Sequence, residues 1–163
     1  MNFATGRWLA LLLATATLLG GSAQAAAVTE GQARALLAEQ QRAWNAGQLD
    51  AYFATFRSDA VFTDQYRTPA GELVPYGSSK LPQARAQTRK FRAQAKASEA
   101  GEVVRLVVAG DGRSAEVVSR VVSRNRGPQG LRVTCAERRQ SLVLTAGRLR
   151  SKGALDTFSR CPR

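Results

Sequence analysis

The sequence contains no histidine, one methionine and only two cysteines in 163 residues. Without imidazole there is no His-based triad, no imidazole proton shuttle and no His-built catalytic zinc set. Serine and cysteine nucleophiles have no histidine base to activate them. Acids are also scarce, 12 Asp plus Glu against 24 Lys plus Arg. They are scattered singly, so no metal site and no metal or organic cofactor is expected. The formal net charge of +12 makes a basic surface the default. There are no internal repeats or low-complexity tracts, and the length suits one domain.

Only one long apolar run is present, from Trp8 to Leu19, with Arg7 before it and Gly20, Gly21, Ser22, Ala23, Gln24 and Ala25 after it. That order of charge, apolar stretch and small residues is a secretory signal peptide over residues 1–25, cleaved near Ala25. The run is about 12 residues against the ~20 a membrane-crossing helix needs, with an uncleaved anchor as the alternative. The mature chain, 26–163, is expected to be secreted or periplasmic and to have no transmembrane segment. In that oxidising setting Cys135 and Cys161 read as one disulfide, the alternative being two buried free thiols.

The mature chain opens with a helix signal: Thr29 can cap, Gln32 can close a capping box and Val28 can staple against Ala33. The helix is predicted to run to Ala46, with Ala33, Leu36, Leu37, Gln40, Ala43 and Trp44 inward and Gly47 as its left-handed stop. A short helix from Leu49 to Phe56 follows, its aromatic side made by Tyr52, Phe53 and Phe56. Ala60 to Asp64 reads as a short strand, Val74 to Tyr76 as a brief extended piece, and Leu81 to Ala97 as a third helix with Pro82 in its first turn. From Glu102 the period becomes two, and turn residues near Gly110, Gly127 and Ala146 divide four strands at 102–109, 114–125, 131–144 and 148–160. The last hairpin brings Cys135 opposite residues 157–158, within a short bend of Cys161.

This is an α+β order. In Trp44 to Ala51 (WNAGQLDA) and Phe56 to Asp64 (FRSDAVFTD) the chain resembles the nuclear transport factor 2-like superfamily, including its SnoaL-like polyketide-cyclase and ketosteroid-isomerase branches. The resemblance implies a curved antiparallel sheet, about four long strands plus short ones, wrapped by three N-terminal helices into a cone with one open, largely apolar cavity. Members use that cavity as an isomerase, cyclase or dehydratase site, as a ligand pocket, or as a docking surface, and fold alone does not choose.

By that resemblance Asp64 matches a carboxylate base, and Gln40 stands where the isomerases carry a donor tyrosine. Apolar walls raise a carboxylate's pKa and make it useful as a base near neutral pH. The plainer reading makes Asp64 a strand-end residue capping the turn at Gln65 to Arg67. A full donor set for a developing enolate is missing, with Glu137 the only acid on the third strand of the meander. The cavity lining is expected from Trp44, Tyr52, Phe56, Phe62, Tyr66, Tyr76 and Phe91. Arg85, Arg89, Arg92 and Lys96, at steps of four, three and four, would share one helical face as a basic surface, joined by strand cations including Arg138.

Three functions follow as expectations. The first is a small-ligand-binding or accessory domain for an apolar or anionic molecule. A cofactor-free isomerase, cyclase or dehydratase using Asp64 is the enzyme alternative. The third is a protein-interaction module, either a homodimer through the sheet face or a binder of an acidic protein or polyanion, immunity and inhibitor roles included.

Overall fold

A computed structural model describes residues 27–162, so the signal-peptide reading of residues 1–25 lies outside the described residues. The order is α1 (Glu30–Asn45), α2 (Leu49–Ala54), β1 (Phe56–Arg67), β2 (Leu73–Lys80), α3 (Leu81–Gln94), β3 (Lys96–Val108), β4 (Ser114–Gly127), β5 (Gly130–Thr145) and β6 (Arg148–Ser159).

The N-terminal capping box forms as its residues dictate: Gln32 N donates to Thr29 Oγ1 at 3.1 Å and Thr29 N donates to Gln32 Oε1 at 2.9 Å. Val28, Ala33 and Leu36 then pack against Ala115, Val117 and Leu142 of the sheet. Gly47, at φ 70°, turns the chain out of α1.

Several boundaries differ from the periodicity reading. Phe56 leaves α2 and opens β1, because Thr55 ends the helix with its hydroxyl on the Tyr52 carbonyl and Phe56 pairs with Ser151. β1 is 12 residues long, and Val74 to Tyr76 belongs to an eight-residue strand. α3 stops at Gln94; Ala95 is extended, and Lys96 and Ala97 pair with Arg126 and Asn125 as the start of β3.

The sheet order is β2-β1-β6-β5-β4-β3. The last four strands form the expected antiparallel meander, whereas β1 runs parallel to β6, so the curved, unclosed sheet is mixed. Register shifts in β1, β3 and the β5–β6 pair supply the bends. At the β6 bend Gly153 has φ 131°, and a Cβ there would overlap the Val61 carbonyl, so glycine is required.

The free edge of β3 is covered by α1. Asn45 Nδ2 donates to the Glu99 carbonyl at 2.9 Å, Glu99 N donates to Asn45 Oδ1 at 2.7 Å, and Gly101 N donates to Gln41 Oε1 at 3.0 Å. Side-chain amides thus occupy the edge at Glu99 and Gly101, where a seventh strand would otherwise pair. Cys135, opposite Ser159 in the β5–β6 register, is bonded to Cys161 with the Cα atoms 5.1 Å apart. The bond staples the final hairpin.

Candidate functional site

The strand positions that share the buried phase face the helices and form a concave wall. On β5 these are Ala136, Arg138, Gln140 and Leu142; on β6, Asp156 and Phe158; on β1, Phe62, Asp64 and Tyr66. Two cavities open on this wall, and an ion cluster contributes two of its members to the lining of one of them.

The cluster centres on Arg138, which the sequence reading assigned to the surface. The alternation explains the correction: Arg138 is in phase with Ala136 and Gln140, its exposed neighbour Arg139 with the outer face. Arg138 Nε and Nη2 donate to Asp156 Oδ1 and Oδ2 at 2.8 and 2.7 Å, a two-pronged pair, and Nη1 donates to Glu99 Oε2 at 3.0 Å. Ser123 Oγ donates to Glu99 Oε1 at 2.9 Å. Burial works against the guanidinium charge, but the Asp156 and Glu99 carboxylates outweigh it and hold the pKa well above the ordinary arginine value. The buried Tyr52 phenol is pushed up as well, first by burial. Glu137, the acid the sequence reading weighed as a donor, pairs with Arg139 on the outer face.

The inner cavity, about 510 Å³, lies between α1 and the first strands of the meander, with Gln40, Tyr52, Glu99, Ser119, Arg138 and Gln140 in its wall. Gln40 is 6% exposed; its Oε1 accepts from Gln140 Nε2 at 3.1 Å, and its own Nε2 is buried without a partner.

The outer cavity, about 770 Å³, is walled by Tyr66, Tyr76, Phe91 and Phe158, with Asn125, Arg132 and Arg160 among its polar groups. Two of those rings are left open to solvent, Tyr76 at 62% and Phe91 at 38%. Asp64 lies one inward position before Tyr66 on β1, half-buried, beside Asp156 on β6 and Gly77 on β2. Burial first and then the Asp156 charge raise its pKa, with Arg138 opposing. The Tyr76 phenol is raised by burial and by the Asp64 and Asp156 charges, with Arg132 opposing.

The expected lining residues are therefore distributed. Tyr66, Tyr76 and Phe91 meet at the outer cavity, and Tyr52 faces the inner one with Gln40. Trp44, Phe56 and Phe62 join Tyr52 and Phe53 in a ring cluster with centroid spacings of 4.9 to 6.4 Å, and Phe56 at its centre is 1% exposed. Gln40 lines the inner cavity, whereas Asp64 lines neither of the two. Glu99, Asp156 and the role of Arg138 escaped the sequence reading; the phase of the alternation was the available signal.

The basic row on α3 is also divided. Arg89 is exposed and paired with Asp50 at 2.8 Å, and Lys96 belongs to β3. Arg92 turns inward to the Trp44 and Ala97 carbonyls and stacks on the Trp44 ring, and Arg85 lies over Phe53. On the outer face of the sheet Val107, Leu131 and Val133 are exposed. Among the described residues no helix is long and apolar enough to cross a membrane, and no group of three or more Cys, Asp or Glu is placed to hold a metal ion.

The α+β cone, its unclosed curved sheet and its helix-covered concave face define the nuclear transport factor 2-like fold. Solved structures agree. A conserved protein from Planctomyces limnophilus superposes with a TM-score of 0.67 at 10% identity, covering 80% of this chain and 95% of that one. The ketosteroid isomerase-like protein from Erwinia carotovora atroseptica gives 0.60 at 14% identity, covering 82% and 100%. The β subunit of a putative aromatic-ring-hydroxylating dioxygenase from Novosphingobium aromaticivorans gives 0.62 at 15% identity, covering 81% and 90%. No protein-family model and no curated relative matches the sequence.

Proposed function

We propose that this domain binds a small molecule that is flat, largely apolar and carries an acidic group, and that it does so in the outer cavity as a secreted or periplasmic module. The observation that carries the reading is the set of four aromatic rings around one hollow of about 770 Å³, two of them exposed, with Arg132 and Arg160 beside them. Aromatic side chains left open around a concavity lose burial they could have had, and a flat ligand restores it. The arginines supply charge for an acidic group, whereas the Arg138 cluster is internally paired and so is structural. The leader pattern and the disulfide support the location.

The test is thermal melting of the disulfide-bonded protein against small aromatic carboxylates and their uncharged analogues. A ligand of the folded state must raise the midpoint. The expected result is a rise that survives high salt and is lost in Tyr76→Ala and Phe91→Ala. No shift from any such compound, or a shift indifferent to both substitutions, overturns the reading.

One observation favours a second reading, in which Asp64 removes a proton from a carbon acid held on the concave wall beside the outer cavity, whose lining residue Tyr66 is the next inward position on β1. Its carboxyl is half-buried, has no ion-pair partner among the described residues and has its pKa raised by burial and by Asp156. Turnover of an enolisable ketone that disappears in Asp64→Asn, with the melting temperature intact, distinguishes catalysis from binding alone.

A further inference from the structure

We infer that a separate hollow at the β5–β6 turn is a binding site for a phosphate or sulfate group. The hollow, about 370 Å³, is lined by Arg57, Ser58, Thr145, Ala146, Arg148 and Arg150, and shares no residue with either cavity of the concave wall. Two independent observations meet there.

The first is convergence of like charge. Three arginines from β1 and β6 line one small concavity, and Lys152 lies near enough for the Asp59 carboxyl to feel it. The nearby acid, Asp59, already takes both bonds of Arg57, through Nε and Nη2 at 2.7 Å each. Arg150 uses Nη1 on the Ala54 and Phe56 carbonyls, at 3.2 and 3.4 Å, which holds the guanidinium in place, and its other donors make no hydrogen bond among the described residues. Arg148 makes no side-chain hydrogen bond among the described residues. Guanidinium groups gathered in this way repel one another until an oxyanion is placed among them.

The second observation is a hydroxyl without a partner. Thr145 Oγ1 is buried and makes no hydrogen bond among the described residues, whereas the buried hydroxyls of Thr55 and Ser151 are bonded. A buried polar atom of this kind calls for a missing partner. Thr145 sits at a tight turn in which Ala146, a non-glycine residue, is held at φ 48° and Gly147 at φ 73°. That turn sets Thr145 and Arg148 on the same hollow. A tetrahedral oxyanion has acceptors enough for the hydroxyl and for several guanidinium donors at once.

The test is titration of the disulfide-bonded protein with inorganic phosphate at constant ionic strength, followed by amide NMR shifts, for wild type, Thr145→Val and Arg148→Ala. Neither side chain belongs to the two hydrophobic clusters, and Thr145→Val keeps the shape of the site while removing only the hydroxyl. Saturable shifts centred on residues 57–58 and 145–150, with affinity about tenfold lower in each variant, are expected. A parallel arm adds phosphatidylglycerol vesicles, with phosphatidylcholine vesicles as control. Vesicle binding lost in the same variants places the phosphate on a lipid headgroup; binding of free phosphate alone places it on a soluble ligand. Weak shifts spread over the whole basic surface, or binding unchanged by both substitutions, would overturn the inference.

Discussion

The concave wall has two halves, and they treat the same kinds of residue in opposite ways. Under α1 and α2, Arg138 is paired with Asp156 and Glu99, and Trp44, Tyr52, Phe53, Phe56 and Phe62 pack on one another at tilted and edge-to-face angles. Toward the outer cavity, Asp64 has no ion pair among the described residues, and Tyr76 and Phe91 keep open faces. Asp64 and Asp156 are register partners on adjacent parallel strands, so the contrast arises within a single pair of neighbours. Residue type therefore does not separate framework from site on this wall. What separates them is whether each group already has a partner.

The strongest way to break this contrast is to unpair the framework half. Arg138→Met leaves Glu99 and Asp156 buried with no counter-charge and is expected to cost about 3–5 kcal/mol in chemical denaturation. A loss under about 1 kcal/mol would mean that water reaches the cluster and that the two halves are alike. Opening the Cys135–Cys161 bond closes off less of the difference: the 26-residue span corresponds to about 3.5 kcal/mol on the chain-entropy model, measured by comparing reduced and oxidised protein. The loss should fall on the outer cavity as well, because Cys161 lines it.

Titrations sharpen the contrast with smaller effects. In the framework half the Tyr52 phenol is held up by burial, so ultraviolet titration should find it still protonated when exposed tyrosines have ionised. In the site half the Asp64 pKa is raised in the folded state. A folded protein that holds a proton more tightly than its unfolded chain is stabilised at low pH, and that contribution is lost as pH rises through the folded pKa. Asp64→Asn should thus stabilise the protein at neutral pH, by roughly 0.5 kcal/mol or less once solvent screening of a half-exposed group is allowed for. Destabilisation instead would reveal an attractive partner for the carboxylate. The smallest effect is expected at the rim, where Tyr76→Ala should change stability by no more than about 0.5 kcal/mol while removing ligand-dependent stabilisation.

Local chemistry made much of the fold readable. Thr29 with Gln32, Gly47, Pro82 and the three hairpin turns each act within a few residues, and each does what its chemistry requires. Tertiary context decided the rest. Phe56 serves a helix face or a strand equally well until Ser151, 95 positions later, arrives as its partner. Leu73 to Lys80 carries Pro75, Gly77 and two serines and reads as a strand only because β1 lies beside it. For the site, the aromatic residues were legible as a set, yet their division between core and cavity depended on which helix covered them. Arg138 stood in the inward phase of β5 all along, but its charge outweighed its phase while Asp156 and Glu99 lay on strands whose register was unknown. Arg85 and Arg92 followed helical spacing correctly, and that same spacing turned them toward Phe53 and Trp44.

The parallel pairing of β1 with β6 sets a timetable for self-assembly. The bond between Gln65 and Thr157 joins positions 92 residues apart, whereas the four strands of the meander meet through short turns. Nearby contacts form with little loss of chain entropy and distant ones only later. The first two strands made are thus the last to find their place, and they wait until the final strand is present. A chain released or threaded through a membrane from its N-terminus spends that interval with β1 unpaired on one side, a period of exposure that ends only when residues 153–158 arrive.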